Sequence, residues 1–184
     1  MEKSIRLKIL EKIIIFSAIG IVFWMFTPNG GYSLYLILIF LGIFALAYHY
    51  NKKKTIPQRA FILGMFLLIF DFIFENTGDV LGFWNTYGSL FFIGAVPIEI
   101  MILIILGGTA WAMHLPKKFN KNFLIAESTL FGFYGALGEY LLILNGLMVY
   151  KGGWNSVYAF FSYFFTWIIL FLAWYKVINR KWKF

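Results

Sequence analysis

Residues 60–78 read AFILGMFLLIFDFIFENTG. A helix needs about 20 mostly apolar residues to cross the hydrocarbon core of a bilayer, and this run nearly supplies them. Only two ionisable groups interrupt it, Asp71 and Glu75, one helical turn apart and so on one face. A charged group at the bilayer centre costs about 2.5–3.5 kcal/mol on the lenient insertion scale, so such residues face a bundle interior and are functional candidates by default.

The rest of the chain fits the same reading. Of its 184 residues, 61% are apolar and only 13% charged, with a mean hydropathy of +0.80. A soluble domain is roughly half apolar and a quarter charged. The composition therefore indicates an integral membrane protein and excludes soluble and disordered classes. Continuous apolar runs argue against a β-barrel, which alternates. Six spans are expected, at about 9–27, 32–50, 60–78, 89–113, 123–149 and 154–178, forming one all-α transmembrane domain over residues 1–184.

Charge placement sets the topology. Lys3, Arg6, Lys8 and Lys12 precede the first span; Lys52, Lys53, Lys54 and Arg59 follow the second. Lys117, Lys118 and Lys121 follow the fourth, and Lys176, Arg180, Lys181 and Lys183 end the chain. With six spans all of these fall on one side and only Lys151 on the other, so the positive-inside rule puts both termini in the cytoplasm. The net charge of +8 is thus a topology signal, and no nucleic-acid partner is expected.

The acids carry the chemistry. Asp71 lies near the middle of the third span and Glu75 about 6 Å further out on a rise of 1.5 Å per residue. Glu99 and Glu139 are each about ten residues inward from the outer ends of the fourth and fifth spans by the same geometry. Four carboxyl groups are thus expected in one layer, whereas Glu127 lies at the cytoplasmic end. Ser128, Gly132, Gly135 and Glu139 share a helical stripe, and small residues there permit close helix approach. No lysine or arginine lies at the layer to neutralise the acids. Such a cluster can hold and deliver a proton, bind a cation, or serve as an interhelical hydrogen-bond network.

A second pattern lies in the outer loops. Gly82-Phe83-Trp84-Asn85 is echoed by Gly152-Gly153-Trp154-Asn155, each after an acid-bearing span, and the echo suggests two related three-helix units. Phe83, Trp84, Asn85, Tyr87, Tyr134, Tyr140, Asn145 and Trp154 are the candidate substrate-binding residues. The chain has no cysteine and two histidines, which excludes thiolate and histidine-rich metal sites. His49 and His114 fall at the cytoplasmic ends of spans two and four and read as interfacial. No Walker loop, nucleophile elbow or zincin helix occurs. No metal and no cofactor is expected.

Asp71-x-x-x-Glu75-x-x-Gly78, Gly82-Phe83-Trp84 and Val96-Pro97-Ile98-Glu99 together resemble the small helical lycopene cyclases of bacteria and archaea, the related membrane carotenoid hydratases and, more distantly, fungal membrane terpene cyclases. The resemblance covers about residues 70–103. It implies cofactor-free acid chemistry: a carboxylic acid protonates an alkene, aromatic rings shelter the cation, and a base removes a proton or water adds. Ile100 stands where the cyclases carry the second glutamate of their Pro-x-Glu-Glu motif, so a hydratase, an isomerase or a lipid-binding relative stays open. In this reading Glu75 or Glu99 donates the proton, Asp71 tunes or reprotonates the donor, Glu139 accepts, and Trp84 and Trp154 cap the cavity. The substrate class is an apolar isoprenoid or carotenoid-like lipid. A proton- or cation-coupled transporter, dimeric at this size, and a structural membrane partner using the same acids as glue are the competing classes.

Overall fold

The computed structural model describes residues 33–178. Its helices are α1 (Ser33–Lys53), α2 (Gln58–Val80), α3 (Ile98–His114), α4 (Lys121–Leu144) and α5 (Ser156–Ala173), and α5 runs on into a π-helical turn, Trp174–Ile178. Between them lie four short strands, β1 (Trp84–Thr86), β2 (Phe92–Ile93), β3 (Val96–Pro97) and β4 (Met148–Tyr150). Local sequence fixes the helix starts. Pro57 and Pro97 are extended residues just before α2 and α3, where a fixed φ is tolerated and the missing N–H is not needed. Asn120 accepts from the Phe123 N–H to open α4, and Asn155 from those of Val157 and Tyr158 to open α5.

Among the described residues three segments are long and apolar enough to cross a membrane: Leu34–Lys53, Gln58–Val80 and Ser156–Ile178. They match the expected spans 32–50, 60–78 and 154–178. The expected span 9–27 lies outside the described residues. The other two differ from expectation. The run 89–113 is a helix only from Ile98 to His114, because Gly88 and Gly94 take positive φ (74° and 62°) and Pro97 stops the helix from extending backward. Its N-terminal part instead forms the β2–β3 hairpin, with Ile93 paired to Val96. The run 123–149 is helical over Lys121–Leu144; Gly146 (φ 69°) turns the chain and residues 148–150 become β4. The all-helical expectation thus holds for the long segments and is corrected in the connections.

Helix α3 packs on both α1 and α2, and α4 packs on α5. At what we term the upper end, the Tyr35 hydroxyl of α1 donates to the Tyr87 carbonyl (2.8 Å). At the lower end the rings of His49 and His114 meet edge to face, 5.4 Å between centroids, and the Lys53 ammonium donates to the Met113 carbonyl. The two histidines thus pack together where the basic loops begin. The main core lies toward the lower end, where Leu63, Trp111, Phe123, Leu170 and Phe171 join α2, α3, α4 and α5. A smaller cluster of Leu34, Tyr35, Leu141 and Leu147 joins α1 to α4.

The two upper loops pair with each other. β1 and β4 form an antiparallel ladder with Trp84 opposite Tyr150, Asn85 opposite Val149 and Thr86 opposite Met148. The two Trp-Asn motifs are therefore not structural equivalents. Trp84-Asn85 is in a strand, whereas Trp154-Asn155 lies beyond the partner strand and caps α5.

Small residues bring the helices together. A methyl group at Gly64 would stand 2.8 Å from the Ile105 carbonyl oxygen and 2.6 Å from the Thr109 hydroxyl, and one at Gly108 would stand 3.0 Å from the Gly64 Cα. Gly107, on the same helix, has open space around its Cβ direction. Gly64→Ala is expected to destabilise the detergent-solubilised protein by about 1–3 kcal/mol, the usual cost of overpacking. Gly107→Ala should leave the unfolding midpoint unchanged or raise it; denaturant titration of the two variants makes the comparison.

Candidate functional site

The site begins with a carboxylate that the sequence places in an apolar helix and must then support. Gly78 ends the acid-bearing face of α2, and the Trp84 ring lies flat on it: a Cβ at residue 78 would come within 2.0 Å of that ring. From there the Trp84 indole N–H donates to Glu75 Oε2 at 2.8 Å. Trp84 is buried and packs with Phe74, Phe83 and Trp154, the two indoles lying 4.7 Å apart. One turn below Glu75 is Asp71, whose Oδ2 atom is buried and reached by no hydrogen-bond donor among the described residues.

Glu139 enters from α4. Its carboxylate accepts a 2.5 Å hydrogen bond from the Tyr150 hydroxyl on β4. The Tyr163 hydroxyl approaches the same group, as does the Trp154 indole, which stops short of hydrogen-bond geometry. The small-residue stripe explains how α5 comes so near. A Cβ on Gly135 would lie 2.4 Å from the Tyr163 ring, and one on Gly132 would lie 3.0 Å from Phe160.

These three acids line a single cavity of about 310 Å³. Leu38, Ile100, Leu103, Ile104, Leu137 and Leu142 make much of its wall, and Tyr35, Phe131, Tyr134, Tyr163 and Trp167 add rings. Aromatic faces of this kind attract a cation, and a mostly apolar pocket with a few convergent polar groups is the usual form of a small-molecule site. A second cavity of about 120 Å³ shares Asp71, Glu75, Ile104, Tyr163 and Trp167 with the first.

Not every expected residue joins them. Glu99 is buried in the first turn of α3 but lines neither cavity. It accepts from the Ser89 hydroxyl (2.5 Å) and from the Leu90 N–H (3.2 Å), and so holds the loop before the β2–β3 hairpin. Of the aromatic candidates, Tyr134 lines the cavity, Phe83, Trp84 and Trp154 pack on one another and line neither cavity, and Tyr87 and Tyr140 are exposed. Asn85 bridges the Asp79 carboxylate and the Lys151 ammonium at the upper surface. Asn145 closes the end of α4 by donating to the Leu141 carbonyl. Glu127 is apart from the layer, buried under Trp111, whose indole donates to it at 2.8 Å.

Sequence reasoning passed over Tyr35, Tyr150, Tyr163 and Trp167. A signal for Tyr163 was present: it sits three residues after Phe160, and those two rings cover Gly135 and Gly132, themselves three apart.

No family model, no curated protein and no solved structure matches the chain. Function is therefore read from its own geometry.

If the Trp84–Glu75 bond supports the site, Trp84→Phe should lower stability by about 1–3 kcal/mol, the cost of stranding a buried acceptor. In a Glu75→Leu background, where no acceptor remains, the same change should cost clearly less. A double-mutant cycle on unfolding free energies reads the difference.

Proposed function

We propose that this chain is a six-span membrane enzyme, with both termini in the cytoplasm, that protonates an alkene of an apolar isoprenoid-like lipid inside the larger cavity. One observation carries the reading: Asp71, Glu75 and Glu139 meet on the wall of one apolar, ring-lined cavity. Glu75 is the proton donor, held in place by the Trp84 N–H. Its proton bonds to one alkene carbon through the π electrons and leaves a carbocation on the other. Phe131, Tyr134, Tyr163 and Trp167 face that charge with their rings. Glu139, oriented by Tyr150, removes a proton from a neighbouring carbon and restores a double bond. Asp71, one turn from Glu75, returns a proton to the donor. The net change is an isomer, cyclic where a second alkene captures the cation, or an alcohol where water does. The cavity has room for the reacting end of a polyene, with the remainder of the chain lying along the apolar helices. Glu99, off the cavity, positions the loop and takes no part in proton transfer.

The second reading is proton- or cation-coupled transport, and one observation favours it. Asp71 and Glu75 border both cavities and so give a charge a path between two chambers.

Expression in bacteria that accumulate lycopene and shorter polyprenyl lipids, with mass spectrometry of the extract, tests the enzyme reading. An isomer or a product heavier by one water is expected. Glu75→Gln and Glu139→Gln should each reduce it by about 10²-fold or more, the usual contribution of an acid or base. Glu99→Gln should retain most of it. An unchanged lipid profile from folded protein sinks the proposal for these substrates.

The topology has its own test. The basic residues Lys54, Lys118 and Lys176 lie in or beside the lower-end segments and Lys151 beside the upper ladder. Because the chain lacks cysteine, single substitutions report directly. In intact cells an impermeant thiol reagent should label Lys151→Cys and spare Lys54→Cys and Lys118→Cys. The reverse pattern would invert the orientation.

A further inference from the structure

The smaller cavity, like the larger, is walled mostly by apolar surface with polar groups at a few points. Of its ten lining residues, five carry polar side chains: Asp71, Glu75, Ser162, Tyr163 and Thr166. Leu67, Phe70, Phe74, Ile104 and Trp167 complete it. Asp71 lines it, its buried Oδ2 has no donor in reach among the described residues, and a buried acceptor left bare is costly. The Ser162 hydroxyl already donates to the Ala159 carbonyl at 2.8 Å, so its oxygen is left to accept. An internal water needs space and two to four polar partners. The volume of about 120 Å³ is well above the roughly 10–15 Å³ that one water needs on the same measure.

We propose that the smaller cavity is an internal water site, in which water hydrogen-bonds Asp71 together with the Ser162 and Thr166 hydroxyls. It shares Asp71, Glu75, Ile104, Tyr163 and Trp167 with the larger cavity. The consequence for catalysis rests on the enzyme reading above. A proton that leaves Glu75 toward the substrate is replaced from Asp71, and a water of the small cavity reprotonates Asp71; the proton that Glu139 takes from the substrate returns to that water by way of Tyr163, which lines both cavities, so the cycle closes with no net change in protons.

The test is an experimental structure of the full chain in lipid nanodiscs, at a resolution that resolves waters, for the wild type and for Thr166→Leu. Density within hydrogen-bond reach of both Asp71 and Thr166 is expected in the wild type, whether the buffer holds sodium, potassium or only choline. In Thr166→Leu it should be lost, because the hydroxyl that holds the water is removed and the longer side chain takes part of its space. A cavity without density overturns the proposal. Density that depends on sodium or potassium also overturns it, by making this a cation site. If Thr166→Leu does not fold, Thr166→Val keeps the shape and removes the hydroxyl; density unchanged there would also contradict the assignment. None of these outcomes depends on a lipid product, so failure of the water site and failure of the alkene chemistry are distinguishable. Where the enzyme reading holds, Thr166→Val is expected to slow product formation several-fold at unchanged substrate affinity.

Discussion

The upper half of the molecule depends on the hydrogen bond from the Trp84 indole to Glu75. A carboxylate in an apolar helix is tolerable only with a partner, and here the partner comes from the loop that follows the same helix. Because the Trp84 ring also rests on Gly78 and against Trp154, one side chain ties α2 to β1 and β1 to the segment before α5. Polar satisfaction and ring packing are supplied by the same group. The rest of the aromatic cluster is arranged around that choice: Gly78 has no side chain because the indole takes its place.

Glu139 is supported in a parallel way, by a donor from the opposite strand. Tyr150 sits across the ladder from Trp84, so a single pair of strands carries the donors for two of the three acids. Asp71 is the exception, its Oδ2 having no donor among the described residues. That difference separates the three chemically. Two are acceptors oriented by Trp84 and Tyr150, and the third lines both cavities without such a donor. Non-helical backbone at this depth is tolerated because it is paired within the protein, as in other broken segments of membrane proteins. The β2–β3 hairpin does this ahead of α3, whose 17 residues rise only about 26 Å.

Much of this was legible in the sequence. The apolar runs give α1, α2 and α5 because composition and length alone decide whether a segment suits a bilayer. Asp71, Glu75 and Glu139 could be placed in one layer because rise per residue is constant. Glu99 is beside that cavity and not on its wall, because α3 begins at Ile98 and the Ser89 hydroxyl and Leu90 N–H take up its carboxylate. Gly88, Gly94 and Pro97 carried that information, but a bilayer-length apolar run outweighed the turn residues. The ladder was hidden for another reason: it joins loops far apart in the chain, and three-residue strands have no periodicity to read. Tyr163 was lost among many aromatic residues, since a ring that lines a cavity and one that faces lipid look alike in a sequence. The echo of Trp-Asn was real as text and not as structure.

The ladder has a consequence for biogenesis. Trp84 and Tyr150 are 66 positions apart, and β1 has no pairing partner until α4 and β4 have been made. During synthesis α2 and α3 therefore lack the Glu139 side of the chamber. Long-range closure of this kind is slow, because chain entropy is lost before any contact compensates. The chamber is thus a late product of assembly: a nascent chain interrupted before residue 148 holds its acids without a roof, and insertion quality control meets it in that state.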